Sequence, residues 1–274
     1  MVFRVFPFAT AGAAAAWLLA MLWVVAKVGV IGTASGLGIS AIVSAVVIGA
    51  ILSLDIRRQL RFRLLFAAVM WGASIASLIS IFSQEMLQAL VDSLGDKQFG
   101  HLVRPLLITP LTEEVSKGAF LIWIMLRRRA EFDDPLDAII FGSLVGAGFA
   151  FSEQVLYFGQ IVSDYIRSTS NDAELFLVVS LIIRALLVPF LHPLFVSLIG
   201  VGLVISTKLQ SKVARTIISI LSFVFPITLH GIWDWASVAS ENRYLIVQFY
   251  LLGICPLLVF FTAFAIALRL RPTT

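Results

Sequence analysis

The sequence has very little cysteine and very little charge. Cys255 is the one cysteine among 274 residues, so the chain can form no internal disulfide and no cysteine-based metal site. Only 13% of the residues are charged, whereas a soluble domain carries about 25%. These shortages exclude a disulfide-stapled fold and an ordinary soluble domain. Cys255 itself lies in an apolar segment, where we expect a small buried side chain.

Long hydrophobic runs take the place of charge. The hydrophobic fraction is 60%, the mean hydropathy is +1.01, and runs of about 20 apolar residues can span a bilayer as helices. We therefore predict an all-α polytopic membrane protein, with residues 1–274 as one integral membrane domain and an uncleaved first helix. The eight predicted spans are residues 9–28, 31–54, 64–90, 105–126, 136–160, 176–206, 215–238 and 244–268.

The basic residues indicate how the chain is oriented in the membrane. Clusters such as Arg127–Arg129 and Lys208–Arg215 follow every second predicted span, and the intervening loops carry few Lys or Arg. Because cytoplasmic loops are enriched in Lys and Arg, this asymmetry predicts that both termini are cytoplasmic. The clusters are short and do not form one basic surface, so we expect no nucleic-acid partner.

Three ionisable residues interrupt the fourth predicted span. Glu113, Glu114 and Lys117 lie at spacings that place Lys117 next to both glutamates on a helix. One charge at the bilayer centre costs roughly 2.5–3.5 kcal/mol on insertion scales, so these groups must be paired, hydrated or bound to a ligand. An intramembrane active site or an ion path is the leading interpretation. A structural ion pair with Lys117 is the alternative.

Ionisable side chains recur in the next three spans. One group from each of the four spans falls about 10–14 Å below the outer end of its helix at 1.5 Å per residue, namely Glu113, Glu153, Arg184 and His230. Residues 105–238 are therefore expected to form one core around a hydrated cavity. Arg184 and His192 are expected on a similar face of one helix. The ionisable residues of these three spans are Glu153, Arg184, His192, His230 and Asp234.

Such a cavity suits hydrolysis. A carboxylate can act as general base on water, and histidines with carboxylates can hold a divalent metal such as zinc that activates water. The sequence contains no HExxH, GxSxG or Ser-His-Asp pattern, which argues against a zincin or a serine hydrolase. Two other interpretations stay open: an ion- or proton-coupled transporter, and a non-catalytic membrane scaffold with the same buried polar network.

In the order of its motifs the sequence resembles the PrsW family of intramembrane proteases, which is related to the CAAX prenyl endopeptidases and the bacteriocin-processing membrane proteins. The motifs on successive spans are EExxK at Glu113–Lys117, FxxxE at Phe149–Glu153, a histidine with a glycine eight residues later at His192–Gly200, and HxxxD at His230–Asp234. The resemblance implies cleavage of membrane-anchored protein substrates in the lipid bilayer of a bacterial or archaeal cell. It further implies an extracytoplasmic cut, like that of an anti-sigma factor.

The same resemblance implies roles for the site residues. Glu113 and Glu114 would activate water, while Lys117 and Arg184 are expected as structural charge partners. The residues that would complete the catalytic site are Glu153, His192, His230 and Asp234. These four are also the metal ligands that the resemblance implies.

Two positions depart from the family pattern. Gln154 stands where relatives often have asparagine, and Asp234 ends a motif that can end in asparagine. An ionised Asp234 cannot donate a hydrogen bond to an oxyanion, but it can bind a metal or orient His230. The aspartate therefore favours a metal-assisted mechanism.

Overall fold

The computed structural model of the chain describes residues 6–55, 60–95, 97–238 and 247–271. These residues fold into helices, and no strand occurs within the described ranges, which confirms the all-α prediction. The α-helices are α1 (Phe6–Asp55), α2 (Phe62–Met70), α3 (Ser77–Leu94), α4 (Lys97–Val103), α5 (Thr109–Arg127), α6 (Pro135–Arg167), α7 (Ala173–Leu187), α8 (Leu191–Lys208), α9 (Lys212–Val238) and α10 (Cys255–Arg269). Wider π-helical turns are present at Trp71–Ala76, Arg104–Ile108 and Tyr250–Ile254.

Helix α1 folds back on itself at Gly29. Gly29 has φ 74° and ψ 174°, a conformation that glycine adopts easily because it has no Cβ. Trp17 and Ser40, on opposite sides of Gly29, both contact Phe151 of α6: the Trp17 ring stacks on the Phe151 ring, and the Ser40 hydroxyl donates to the Phe151 backbone oxygen. In a straight helix they would lie about 35 Å apart. The two arms of α1 therefore run side by side along α6.

Helix α6 is the centre of the molecule. It packs against α1, α2 and α8, and 83% of the residues in its most apolar stretch are buried. Glycines permit this packing: a Cβ at Gly146 would overlap the backbone oxygen of His192, and a Cβ at Gly148 would overlap that of Val69. Small residues of this kind let helix backbones approach closely in a membrane. Gly146 thereby fixes the first turn of α8, which carries His192, against the middle of α6.

The sixth predicted span consists of two helices. Helix α7 ends at Leu187 and α8 begins at Leu191. Pro189 lies between them, and it has no N–H to continue the helical hydrogen bonds. The expectation that Arg184 and His192 share one helix face is therefore wrong, because the chain turns between them.

Six of the described helical segments are long and apolar enough to cross a membrane, so the chain is a polytopic integral membrane protein. One of the six, Thr10–Asp55, contains both arms of α1, and α5 with its buried charges is not among them. The total of eight spans and the cytoplasmic placement of both termini stay predictions. Residues 244–246 of the last predicted span lie outside the described ranges.

Candidate active site

Helix α5 carries three ionisable side chains into the interior of the bundle. The indole N–H of Trp71 donates to the backbone oxygen of Ser116 at 2.9 Å, which ties α5 to the π-helical turn between α2 and α3. The side chains of Glu113, Glu114 and Lys117 are 5%, 0% and 0% exposed. All three groups therefore face protein, not lipid.

Lys117 is at the centre of this site. Its Nζ atom lies 3.0 Å from Glu113 Oε2, 2.9 Å from Glu114 Oε1 and 2.9 Å from His192 Nδ1. An ammonium group has three N–H donors, and these three contacts use all of them. The Phe149 ring covers the ammonium at 3.9 Å from its centroid, a favourable cation–π placement. Lys117 is thus a charge partner of both glutamates.

His192 connects Lys117 to Glu153. Since the Lys117 ammonium donates to Nδ1, the other ring nitrogen of His192 carries the proton. That nitrogen, Nε2, donates to Glu153 Oε2 at 2.8 Å. The Phe149 ring packs against the imidazole with 5.4 Å between ring centroids. A continuous set of polar contacts therefore runs from α5 through α8 to α6.

His230 makes a second connection, from α9 to α5. Its Nδ1 lies 2.9 Å from Glu114 Oε1, and its Nε2 lies 3.5 Å from Asp234 Oδ2 and 3.9 Å from Glu113 Oε2. The imidazole stacks on Phe195 with 5.2 Å between ring centroids. Carboxylate oxygens only accept hydrogen bonds when ionised, so a proton or a cation must lie among these atoms for the group to be stable.

Arg184 lies at the edge of the site. Its Nε donates to Gln154 Oε1 at 2.8 Å, and its guanidinium covers the Tyr157 ring at 3.5 Å from the centroid. These contacts hold α7 against α6 beside Glu153. Gln154, which departs from the family pattern, therefore has a structural partner in this chain.

All six predicted catalytic residues come together in one network. They belong to α5, α6, α8 and α9, which correspond to the four spans predicted to form one core. Contacts of 3.9 Å or less join Glu113, Glu114, Glu153, His192, His230 and Asp234, directly or through Lys117. Their individual roles stay predictions.

A subset of these residues suits a divalent metal. Glu113, Glu114, His192 and His230 can each offer one ligand atom, and these atoms lie within 4.8 Å of one another. Two carboxylates and two imidazoles are donors that zinc accepts. Oε2 of Glu114 is buried and has no hydrogen-bond partner among the described residues. Lys117 contacts three of these four residues, so its ammonium and a metal would compete for the same donors.

A cavity of about 610 Å³ reaches the site. Three carboxylates of the network line it, those of Glu113, Glu153 and Asp234, and Asp92 of α3 lines it as well, together with His101 and Arg104 from the predicted outer side. The two histidines and the second glutamate lie behind these carboxylates and are not among the lining residues that the structure describes. Water in the cavity can therefore reach three carboxylates of the network directly.

Gln84 of α3 also contacts the site, although it is not one of the ionisable or motif residues of the sequence. Its Nε2 donates to Glu113 Oε1 at 3.2 Å, and its Oε1 accepts from the Thr109 hydroxyl at 3.5 Å. A search for ionisable residues cannot find an amide. The signal that marks Gln84 is its helical spacing from Ser77 and Ser80 in an otherwise apolar span.

Comparison with known proteins gives a family match. The family model described as PrsW family intramembrane metalloprotease matches residues 61–264, which include all four motifs. A curated relative, Protease PrsW of Geobacillus kaustophilus (strain HTA426), is 32% identical over 132 residues. That alignment covers 48% of this chain and 51% of the relative, so the chain spans about half the length of the curated relative that it matches. No solved structure matches the chain.

Proposed function

The chain belongs to the PrsW family of intramembrane metalloproteases, and we propose on this basis that it is an endopeptidase that hydrolyses peptide bonds of membrane-anchored proteins. The observation that carries the proposal is the face of three carboxylates, Glu113, Glu153 and Asp234, on a cavity inside the helix bundle. Hydrolysis needs water, a general base and a proton donor for the leaving amine. Carboxylates with histidines behind them supply both proton-transfer groups.

Glu113 is the general base in this proposal. It lines the cavity, whereas Glu114 is fully buried between Lys117 and His230. Glu113 can therefore take a proton from a water in the cavity, and Glu114 cannot reach that water. The contacts of Glu114 suit a different role, which is to balance the charge of Lys117 and to orient the His230 ring.

His230 and Asp234 form the path that returns the proton. Glu113 Oε2 lies 3.9 Å from His230 Nε2, and the same nitrogen lies 3.5 Å from Asp234 Oδ2. A proton taken by Glu113 can move to Nε2 of His230 and from the same nitrogen to Asp234. Asp234 faces the cavity and can protonate the leaving amine. Both distances are longer than a good hydrogen bond, and such contacts often tighten when substrate binds.

Glu113, Glu114, His192 and His230 could hold a divalent metal such as zinc. In this proposal the ligands would be Glu114, His192 and His230, and Glu113 would stay free to act as the base. When bound there, the metal supplies a Lewis acid and a more acidic water. Glu153 and Asp234, which the resemblance implies as ligands, would then orient the two imidazoles from their other ring nitrogens. Lys117 would have to give up contacts to admit the metal.

We further propose that residues 105–238 contain the catalytic groups and that the cut is made near the extracytoplasmic side of a bacterial membrane. The cavity that contains Glu113 also reaches His101 and Arg104, which belong to the predicted outer loop. The opposite end of α5 carries the basic cluster Arg127–Arg129, which is predicted to be cytoplasmic. An outer cut of a membrane-anchored regulator, as for an anti-sigma factor, fits this placement.

The proposal is tested with purified protein in liposomes that contain a single-span substrate. Glu113→Gln keeps the shape of the side chain and removes the base. Cleavage should fall by roughly 100-fold or more, since general acid–base catalysis contributes about 10²–10⁴-fold. Glu174→Gln makes the same change on an exposed residue of α7 and should leave the rate unchanged. Full activity of folded Glu113→Gln protein would contradict the proposal.

A further inference from the structure

One face of α3 carries a continuous row of polar side chains. Ser77, Ser80, Gln84, Gln88 and Asp92 follow one another at intervals of three or four residues, so they share one side of the helix. All five line the cavity that contains Glu113. We call this set the α3 polar face. The lipid-exposed side of the same helix carries residues such as Phe82 and Met86, which are 62% and 75% exposed.

Another wall of the cavity is apolar. It is formed by side chains of α1, among them Met21 and Val24, together with Leu156 of α6. The cavity volume of about 610 Å³ is in the range of pockets that bind ligands of substantial size. A cleft with one polar and one apolar wall matches a peptide segment, whose backbone is polar and whose side chains, in a membrane anchor, are apolar.

The α3 polar face has hydrogen-bonding capacity that the described residues do not use. Ser80 is 1% exposed, and its hydroxyl is buried without a partner among the described residues. Gln88 donates from Nε2 to Asp92, but its Oε1 is buried with no partner in the described part of the chain. Buried polar groups are nearly always paired. Two unpaired groups on one wall therefore indicate that a polar ligand binds there.

The chemistry of the reaction identifies the kind of ligand. In a transmembrane helix every backbone N–H and C=O is hydrogen-bonded within the helix, and the peptide bond is not open to attack. An unwound segment exposes these groups, and each costs several kcal/mol in hydrocarbon unless it finds a partner. Serine hydroxyls and glutamine amides can both donate and accept. They can therefore pair with the exposed backbone of such a segment.

Gln84 connects the α3 polar face to the catalytic carboxylate. Its amide is fixed on one side by the Thr109 hydroxyl, which leaves its N–H group directed at Glu113. A carboxylate held in this way has one oxygen oriented by Gln84 and the other by Lys117. Gln84 thus orients Glu113 beside the same wall that would hold the substrate backbone.

We propose that the α3 polar face binds an unwound, extended segment of the membrane-anchored substrate, and that Gln84 is a positioning residue for Glu113. This inference rests on the proposed function. It extends the functional unit to α3, which contains none of the family motifs.

Binding is tested separately from cleavage in the Glu113→Gln variant, which retains bound substrate. A photo-reactive amino acid is placed at position 88, on the α3 polar face, or at position 86, on the lipid-exposed side of the same helix. A single-span substrate in liposomes should cross-link at position 88 at least about fivefold more than at position 86, and the cross-link should map to the segment that the wild-type enzyme cuts. Equal or weaker cross-linking at position 88 would overturn the inference while leaving the proposed function intact.

Steady-state kinetics distinguish the two roles within α3. Ser80→Ala should raise KM by about threefold or more with kcat little changed, because it removes a contact to bound substrate. Gln84→Ala should lower kcat by about 10-fold or more with KM little changed, because it removes an orienting hydrogen bond from a charged group. Thr109→Val, which releases the Gln84 amide, should change kcat in the same direction.

Ser83→Ala is the matched control, because Ser83 lies on α3 but does not line the cavity. Its KM and kcat should equal those of wild type. Wild-type kinetics in Ser80→Ala and Gln84→Ala would overturn the inference even where cleavage itself is established. If wild-type protein cleaves no substrate but substrate still cross-links at position 88, the result would contradict the proposed function and not the binding surface.

Discussion

Lys117 lies where a cation is needed, between two glutamates and a histidine. The glutamates and the histidine all present acceptor atoms to it at 2.9–3.0 Å, and the group is shielded from water. Without a cation, three acceptors would face one another in a low-dielectric interior, where such repulsion is strong. The same three residues are among those that could bind a metal. Lys117 therefore stabilises the site in the absence of metal and competes with metal when it is present.

Removal of the Lys117 charge should destabilise the metal-free protein. Breaking a buried ion pair by deleting one partner costs about 3–5 kcal/mol, so Lys117→Met should lower the free energy of unfolding by about that amount. Added zinc should restore part of this loss, because the substitution frees the donor atoms. Thermal unfolding in detergent with and without zinc measures both effects. Lys212→Met changes an exposed lysine and should have no effect, and an unchanged Lys117→Met protein would disprove this account.

At this scale the sequence predicts which residues come together but not which atoms meet. The rarity of ionisable groups in hydrocarbon singles out Glu113 and His230. That His230 contacts Glu114 through Nδ1 depends on the rotation of α9 against α5, which no spacing within one helix determines. Gln84 is missed because an amide in an apolar span carries no charge and gives no energetic anomaly.

At the scale of helices, glycines of α6 position the proposed catalytic groups. Gly142 and Gly146 lie against the first turns of α8, so His192 can reach Lys117 and Glu153. The sequence predicts close packing here because small residues repeat at helical spacing. It does not predict that α7 and α8 are separate helices, since the hydrophobic window runs through Pro189 without a polar break. For this reason the sequence predicts Arg184 and His192 on a similar face of one helix, whereas in the structure they lie on separate helices and Arg184 binds Gln154.

Substitution of Gly146 should act on catalysis through α8. A Cβ at this position would overlap the backbone of His192, so Gly146→Ala should push α8 away and break the His192 contacts. Activity should fall by about 10-fold or more, since misplacement of catalytic groups by about 1 Å can cost 10²-fold. A cleavage assay in liposomes, with unfolding measured in parallel, provides the readout.

Gly38→Ala is the matched control for this prediction. Nothing lies within 4 Å of a Cβ at Gly38, and alanine favours a helix over glycine by about 1 kcal/mol. Gly38→Ala should therefore keep full activity and wild-type stability or better. Full activity in both glycine variants would show that the α6–α8 contact does not position the site.

At the scale of the whole molecule, the site lies on a cavity between membrane helices. Composition predicts an integral membrane protein, because 60% hydrophobic and 13% charged residues do not make a soluble domain. The expected core of residues 105–238 holds every ionisable residue of the network. The cavity, however, is also walled by Met21 and Val24 of α1 and by the α3 polar face. Apart from Asp92 near the C-terminal end of α3, these walls contain no charge, and the sequence alone does not assign them to the site.

The central claim is that Glu113 activates a water that breaks a peptide bond of a membrane-anchored substrate. The most direct measurement is mass spectrometry of the fragments formed by wild-type protein in liposomes prepared in heavy-oxygen water. We predict two fragments that meet at one internal peptide bond, with one heavy oxygen in the new carboxyl terminus, and at least about 100-fold fewer such fragments from Glu113→Gln. Cleavage without heavy oxygen in the new terminus, or the same labelled fragments in equal amount from Glu113→Gln, would contradict the account.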